Sequence, residues 1–138
     1  MKVSPQILQK LQAWCRERPV RLCVLFGSQA TGMAHPGSDV DVAVWPGESL
    51  TTATRLRWVT ELENLLNRDV SLVLVSADLD PVLGMEIFRR GQLIYEREPE
   101  LWIHHRLQLW HVYNDNLPFL KAAREQLRQF AEEIRRGS

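Results

Sequence analysis

Hydrophobic positions along the chain follow two periods, one typical of amphipathic helices and the other of buried strands. A helix is predicted to begin at Ser4 and Pro5, an N-cap and a first helical position, because apolar residues then recur every three or four positions. Apolar runs closed by glycine or proline predict strands at 21–26 and 40–45, both buried on two faces. The small residues of 28–38 predict one or two helical turns followed by a loop.

The same periods continue through the next fifty residues. They predict an amphipathic helix over 50–66, a strand over 69–75, a helix over 79–90 that ends before Gly91, and a short strand over 93–95. Helices and strands therefore alternate from the start of the chain to residue 96. This alternation predicts an α/β domain built on one sheet.

A long helical tail is predicted after Pro99, with apolar residues separated by three, four and seven positions. Pro118 is expected to break or kink it, because proline cannot donate the helical hydrogen bond. We therefore divide the chain into a core over 1–98 and a tail over 99–138. Two interpretations of the tail stay open: it packs on its own sheet, or part of its apolar face covers a partner chain.

Composition narrows the classes of function. Seventeen Lys and Arg residues balance seventeen Asp and Glu residues, so no bulk field attracts nucleic acid or an anionic membrane, and direct nucleic-acid binding is not expected. The longest apolar run, 22–26, is far too short to cross a bilayer, and we expect a cytoplasmic protein. Cys15 and Cys23 lie in apolar segments without a CxxC pair and are predicted to be buried thiols without chemistry.

The end of the first predicted strand begins a G-S-x10-D-x-D motif, formed by Gly27, Ser28, Asp39 and Asp41. Gly27 allows the backbone to approach a phosphate, and Ser28 adds a hydroxyl beside the free N–H groups and the positive dipole of a helix start. Asp39 and Asp41 are two residues apart in an extended segment, so their carboxylates share a face and can hold hard divalent cations. Such cations stabilise the attacking and leaving oxygens of a displacement at phosphorus.

These residues carry a resemblance to a known family. The stretches 25–32 and 38–44, LFGSQATG and SDVDVAV, resemble the signature of the polymerase-beta-like nucleotidyltransferases, and in particular their minimal branch. Within that branch, the order of elements and the helical tail resemble the antitoxins of HEPN and minimal-nucleotidyltransferase toxin–antitoxin pairs. The resemblance is tight over 24–45 and loose elsewhere.

The resemblance implies a polymerase-beta-like fold, a mixed sheet with flanking helices, and an enzyme that uses ATP and Mg²⁺. It implies transfer of AMP from ATP to a tyrosine hydroxyl of a partner HEPN ribonuclease toxin, which neutralises the toxin in a hetero-oligomer. In this interpretation Gly27 and Ser28 hold the nucleotide together with Asp39 and Asp41, and the two carboxylates bind the metal.

Two positions depart from the family pattern. The family often has arginine where this chain has Thr31, which weakens the expected phosphate contact. Its third carboxylate usually lies in a Val-Asp-Leu-Val strand, and the matching stretch here, 70–73, has Ser71 at that position. Asp69 is two residues earlier, on the same strand face and about 7 Å away by strand rise. Asp69 is therefore the candidate third catalytic and metal-binding carboxylate, and a strand-start residue beside Arg68 is the alternative.

Two other functions stay open at this point. One is a catalytically weak antitoxin that binds its toxin stoichiometrically, which Ser71 and the apolar tail favour. The other is a small-molecule nucleotidyltransferase, which is disfavoured because no second substrate-binding domain follows the core. Arg106, His111 and Tyr113 match the R-x4-H-x-Y motif of HEPN ribonucleases, but one tail cannot supply the helical bundle in which that motif works, so we interpret the match as chance.

Overall fold

Four strands and five helices make up residues 3–27 and 39–137, the part of the chain that this computed structural model describes. The order confirms the predicted alternation, with boundaries shifted by a few residues. The predicted turns of 28–38 lie outside the described residues. The elements are α1 (Pro5–Arg16), β1 (Val20–Phe26), β2 (Val40–Pro46), α2 (Thr52–Leu66), β3 (Val70–Leu74), α3 (Pro81–Arg90), β4 (Gln92–Glu96), α4 (Leu101–Asp115) and α5 (Leu117–Arg136).

The strands form one mixed sheet in the order β3-β2-β1-β4. β1 pairs antiparallel with β2 and β4, whereas β2 pairs parallel with β3. The predicted mixed sheet is confirmed. Because β1 runs opposite to β2 and β3, the end of β1 and the starts of β2 and β3 lie at the same edge of the sheet.

Helices cover both faces of the sheet, which explains why β1 and β2 are apolar on both sides. On one face, α1 and α2 pack on the strands through residues such as Leu11, Trp14 and Leu62. On the other face, α3 and α4 pack through Ile87 and Trp102. The strand positions divide between these two cores by their alternation. Cys23, Leu25, Val42 and Val44 face α1 and α2, whereas Leu22, Val24, Phe26, Ala43 and Trp45 face α3 and α4.

Local chemistry sets the helix ends. The Ser4 hydroxyl accepts a hydrogen bond from the Ile7 N–H at 3.2 Å, with Pro5 at the first helical position, as predicted. Gly91 follows α3 as predicted, but its φ of −65° is not left-handed. A side chain there would instead collide with the Ile87 carbonyl and the Trp102 ring, so glycine is required for close packing.

The two halves of the tail differ. The helix α4 buries Leu101, Trp102 and Leu109 against the core. The helix α5 buries no residue and leaves Phe119 and Leu127 about 70% exposed. The tail helix is interrupted at Asn116, two residues before Pro118, which confirms the predicted break. The division of the chain at residues 98 and 99 stays a prediction, and α4 lies on the sheet domain.

Two further expectations can be compared with the fold. Cys15 and Cys23 are free thiols buried between α1 and β1, as predicted. Across 3–27 and 39–137, no helix combines the length and apolar character needed to cross a membrane.

Candidate active site

Gly27 closes β1 in a conformation that only glycine adopts easily. Its φ is +77°, and a Cβ at this position would collide with the Asp41 carboxylate, Oδ2 first. Phe26 pairs with Asp41 across β1 and β2, which brings the start of β2 against the turn after β1. Gly27 therefore allows a carboxylate to lie directly against the backbone. Ser28, the second residue of the motif, lies outside the described residues, as does Thr31.

Asp39 and Asp41 share one face of the sheet. In β2, Val40 and Val42 belong to the core under α1 and α2, and Ala43 belongs to the core under α3 and α4. Alternation along the strand therefore directs Asp41, and Asp39 before it, to the α3 and α4 side. Asp39 is exposed and Asp41 is partly buried. The prediction that the two carboxylates face the same way agrees with this alternation.

The parallel pairing of β2 with β3 brings Ser71 beside Asp41. Residues in register on neighbouring strands lie about 4.8 Å apart and point to the same face. The Asp69 carbonyl accepts the Val40 N–H at 2.8 Å, so Asp69, immediately before β3, lies beside Asp39 rather than beside Asp41. Asp69 is exposed. The position of the family's usual third carboxylate is thus occupied by the Ser71 hydroxyl, and Asp69 lies two residues earlier, toward the edge.

The electrostatics of Asp41 favour a bound cation. Partial burial raises the pKa of the Asp41 carboxyl above its ordinary value, and repulsion by the Asp39 carboxylate raises it further. Neither carboxylate forms a salt bridge with any Lys, Arg or His among the described residues. A cation between them would remove both the repulsion and part of the burial penalty.

The donor set fits Mg²⁺. Mg²⁺ prefers carboxylate oxygens, keeps several waters and is completed by substrate phosphates, so two carboxylates beside a phosphate-accessible glycine are sufficient. Within 3–27 and 39–137, no three His, Cys, Asp or Glu side chains are grouped closely enough to form a metal site by themselves. Asp69 as a third metal ligand therefore stays a prediction.

Arg106 and His111, two residues of the R-x4-H-x-Y match, contact neighbouring aromatic residues. Arg106 Nε donates to the Phe88 carbonyl at 3.0 Å, and its guanidinium lies over the Phe88 ring at 4.9 Å. His111 is exposed and contacts the Trp110 ring, with the ring centroids 5.1 Å apart. These contacts join α4 to α3 and give Arg106 a structural role. That role agrees with the interpretation that the motif arises by chance.

One pairing in the site was missed by the sequence analysis. The motif predicts Gly27 as a phosphate contact, but nothing in it indicates that the same glycine also makes room for Asp41. The signal is present in the sequence only as a glycine immediately after a strand, which is too common to assign a partner. The antiparallel pairing of Phe26 with Asp41 creates the contact.

Comparison with known proteins finds a matching family model and a similar curated protein. A family model described as polymerase beta, nucleotidyltransferase, matches residues 9–100, well over half of the chain. The protein adenylyltransferase MntA of Shewanella oneidensis is 33% identical over 86 residues, which cover 60% of each chain. The chain therefore matches about three fifths of the length of that relative.

Solved structures share the fold at lower identity. A toxin–antitoxin structure with AMP-PNP superposes with a TM-score of 0.78 at 22% identity, covering 88% of this chain and 98% of that one. The MntA–HepT toxin–antitoxin gives 0.74 at 19% identity, with coverages of 91% and 99%. A tri-AMPylated Shewanella oneidensis HEPN toxin in complex with MNT antitoxin gives 0.73 at 19% identity, with coverages of 89% and 97%. The matched family model, the mixed sheet and the paired carboxylates at its edge together assign this chain to the polymerase beta nucleotidyltransferase family.

Proposed function

We propose that this chain is an antitoxin that transfers AMP from ATP to a tyrosine hydroxyl of a HEPN ribonuclease toxin and thereby neutralises it. The observation that carries the proposal is the contact of Asp41 with Gly27, beside Asp39, at the edge where a nucleotidyltransferase acts. The relative named protein adenylyltransferase supports the reaction, and the toxin–antitoxin neighbours support the partner. A cytoplasmic location is part of the proposal, because the reaction uses ATP.

Each residue has a distinct role in the proposed reaction. Gly27 presents its backbone to the triphosphate, with Ser28 as the adjacent hydroxyl, and Asp39 and Asp41 hold Mg²⁺. The bound Mg²⁺ supplies neutralisation of the charge that develops on the phosphates. Asp69, at the same edge, orients the acceptor hydroxyl and accepts its proton.

The bonds in the step balance without a further reagent. The acceptor oxygen forms a bond to the α-phosphorus of ATP, and the bond from that phosphorus to the bridging oxygen breaks. Pyrophosphate leaves with the electron pair, and the hydroxyl proton passes to Asp69. Because the proton acceptor is a carboxylate at the strand start, the step needs the acceptor tyrosine to approach the open edge of the sheet.

One observation favours a second candidate function. Ser71 lies beside Asp41, where the family usually has a carboxylate, and it carries no charge. A site with two carboxylates can bind a nucleotide and still react slowly. The second candidate is therefore an antitoxin that neutralises its toxin mainly by stoichiometric binding.

The test is incubation of the chain with ATP, Mg²⁺ and the HEPN-type protein encoded beside it, followed by intact-mass measurement of that protein. The expected result is a mass gain of one adenylyl group for each tyrosine hydroxyl modified. The double variant Asp39→Asn with Asp41→Asn should give no adduct, whereas the matched pair Asp78→Asn with Asp115→Asn, both outside the site, should react as the wild type does. A complex that forms without any adduct would favour the binding function.

A further inference from the structure

A cavity of about 300 Å³ lies on the α3 and α4 side of the sheet, at the edge opposite to Asp39 and Asp41. Its walls are the end of β2, the segment between β3 and α3, and one side of α4. Most of the lining is apolar and includes Trp45, Leu79, Leu109 and Val112. The volume is at the lower end of the range in which proteins bind small organic molecules.

A β-bulge in β1 lies beside this cavity and contains Arg21. Val20 pairs with Pro46 and Leu22 pairs with Trp45, so β1 has one extra residue, Arg21, between two successive positions of β2. A bulge of this kind turns the extra side chain out of the normal alternation. Arg21 consequently lines the cavity beside Trp45, although it is exposed to solvent.

The charge of Arg21 has no carboxylate partner among residues 3–27 and 39–137. Asp80 also lines the cavity, but it caps α3, with its Oδ1 accepting the Val82 N–H at 3.0 Å. His105 also lines the cavity, with its ring centroid 5.7 Å from that of Trp45. Burial, and then the nearby Arg21, lower the pKa of His105, which favours the neutral imidazole.

The cavity is separate from the proposed nucleotide site. Trp45 follows Asp41 by four residues on the same face of β2, which places them about 13 Å apart by strand rise. The Asp39 and Asp41 edge attracts cations, whereas the Arg21 end of the cavity attracts anions. The cavity therefore has mostly apolar walls, the Arg21 cation in its lining and the Asp80 carboxylate at the start of α3, and it lies away from the reacting edge.

We propose that this cavity is a second binding site that takes a small organic anion with a flat apolar body, such as an aromatic carboxylate. The apolar body packs against Trp45 and Leu109, and the carboxylate pairs with the Arg21 guanidinium. A charge-assisted pair with the exposed Arg21 guanidinium supplies the selectivity for an anion over a neutral molecule of the same shape.

Fluorine NMR tests this with 4-(trifluoromethyl)benzoate as the probe and 4-(trifluoromethyl)benzamide as its neutral counterpart. The benzoate should bind, and the benzamide should bind about threefold to fivefold more weakly, the ratio for losing one charge pair at an exposed guanidinium. Arg21→Met should reduce benzoate binding by a similar factor, whereas the control Arg16→Met, on the exposed side of α1, should not. MgATP should leave the benzoate bound.

A variant that fills the cavity distinguishes benzoate binding in the cavity from benzoate binding to the exposed apolar face of α5. Ala77 is an exposed residue in the lining, so Ala77→Trp fills the cavity from outside the core, and Ala53→Trp at an exposed position of α2 is the matched control. Ala77→Trp should abolish benzoate binding and Ala53→Trp should preserve it. No benzoate binding, equal binding of the two probes, or binding unchanged by both Arg21→Met and Ala77→Trp overturns the proposal. Displacement by MgATP also overturns it, because the cavity would then belong to the nucleotide site.

Discussion

Substitution of Gly27 by alanine tests the geometry of the proposed site most directly. The φ of +77° costs a residue with a Cβ about 1–2 kcal/mol. The new methyl group also collides with the Asp41 carboxylate, and forcing that side chain away from its preferred rotamer costs about 1 kcal/mol. Together these effects predict a loss of about 2–3 kcal/mol in the free energy of unfolding.

A double-mutant cycle separates the two causes. Asp41→Ala removes the collision but leaves the backbone strain, so Gly27→Ala should cost about 1 kcal/mol less in the Asp41→Ala background than in the wild type. The measurement is chemical denaturation of all four proteins without divalent cations. Gly47→Ala is the matched control, because the nearest atom to its new Cβ would be 3.5 Å away and its φ is not positive.

The same substitution should affect activity more than stability. Displacement of one catalytic group by about 1 Å can lower a rate roughly 100-fold, so Gly27→Ala should lose AMP transfer at temperatures where it stays folded. Gly47→Ala should keep both stability and transfer. A Gly27→Ala protein as stable and as active as the wild type, or a cycle without coupling, would refute the contact between Gly27 and Asp41 as a working part of the site.

Three further predictions follow from the site and the tail. The pKa of Asp41 is raised in the folded state, so ionisation of this carboxyl lowers stability as pH rises past its unfolded-state pKa. Asp41→Asn should therefore raise the melting temperature at pH 7 without divalent cations but not at pH 3. Mg²⁺ should stabilise only the wild type. If Asp69 accepts the proton, Asp69→Ala should lower the rate of AMP transfer by orders of magnitude without changing the affinity for ATP. If the site is instead incomplete, Ser71→Asp should raise that rate. If neither substitution changes the rate, both roles are excluded. Removal of residues 117–138 should change the free energy of unfolding by less than about 1 kcal/mol, because α5 buries no residue. Removal of 99–138 should unfold the chain, because burial of Leu101, Trp102 and Leu109 together contributes about 5–9 kcal/mol to its stability. Circular dichroism melts of both truncations distinguish these outcomes.

Local patterns along the chain determine most of the fold. Both two-sided strands, β1 and β2, are recognised from short apolar runs ended by Gly27 and Pro46, because a strand buried on two faces cannot contain alternating polar residues. The first helix is recognised from Ser4 and Pro5, because a cap acts within one turn. The site motif is also local, since residues two apart in a strand share a face whatever surrounds them.

Tertiary structure decides what depends on the pairing of distant segments. The register of β2 with β3 brings Ser71, rather than Asp69, beside Asp41, and a one-residue shift in either strand would change that neighbour. Both halves of the tail have apolar residues at helical spacing, but only one half is buried. Trp102 and Leu109 of α4 pack into the core, whereas α5 buries no residue.

The same reason explains the two features that the sequence does not reveal. The contact of Gly27 with Asp41 and the place of Arg21 in the cavity lining both come from the pairing of β1 with β2, one at each end of the ladder. A glycine after a strand and an arginine within one are common residues in common places. Only the register, which is set by packing of the whole sheet against its helices, gives each of them a specific neighbour.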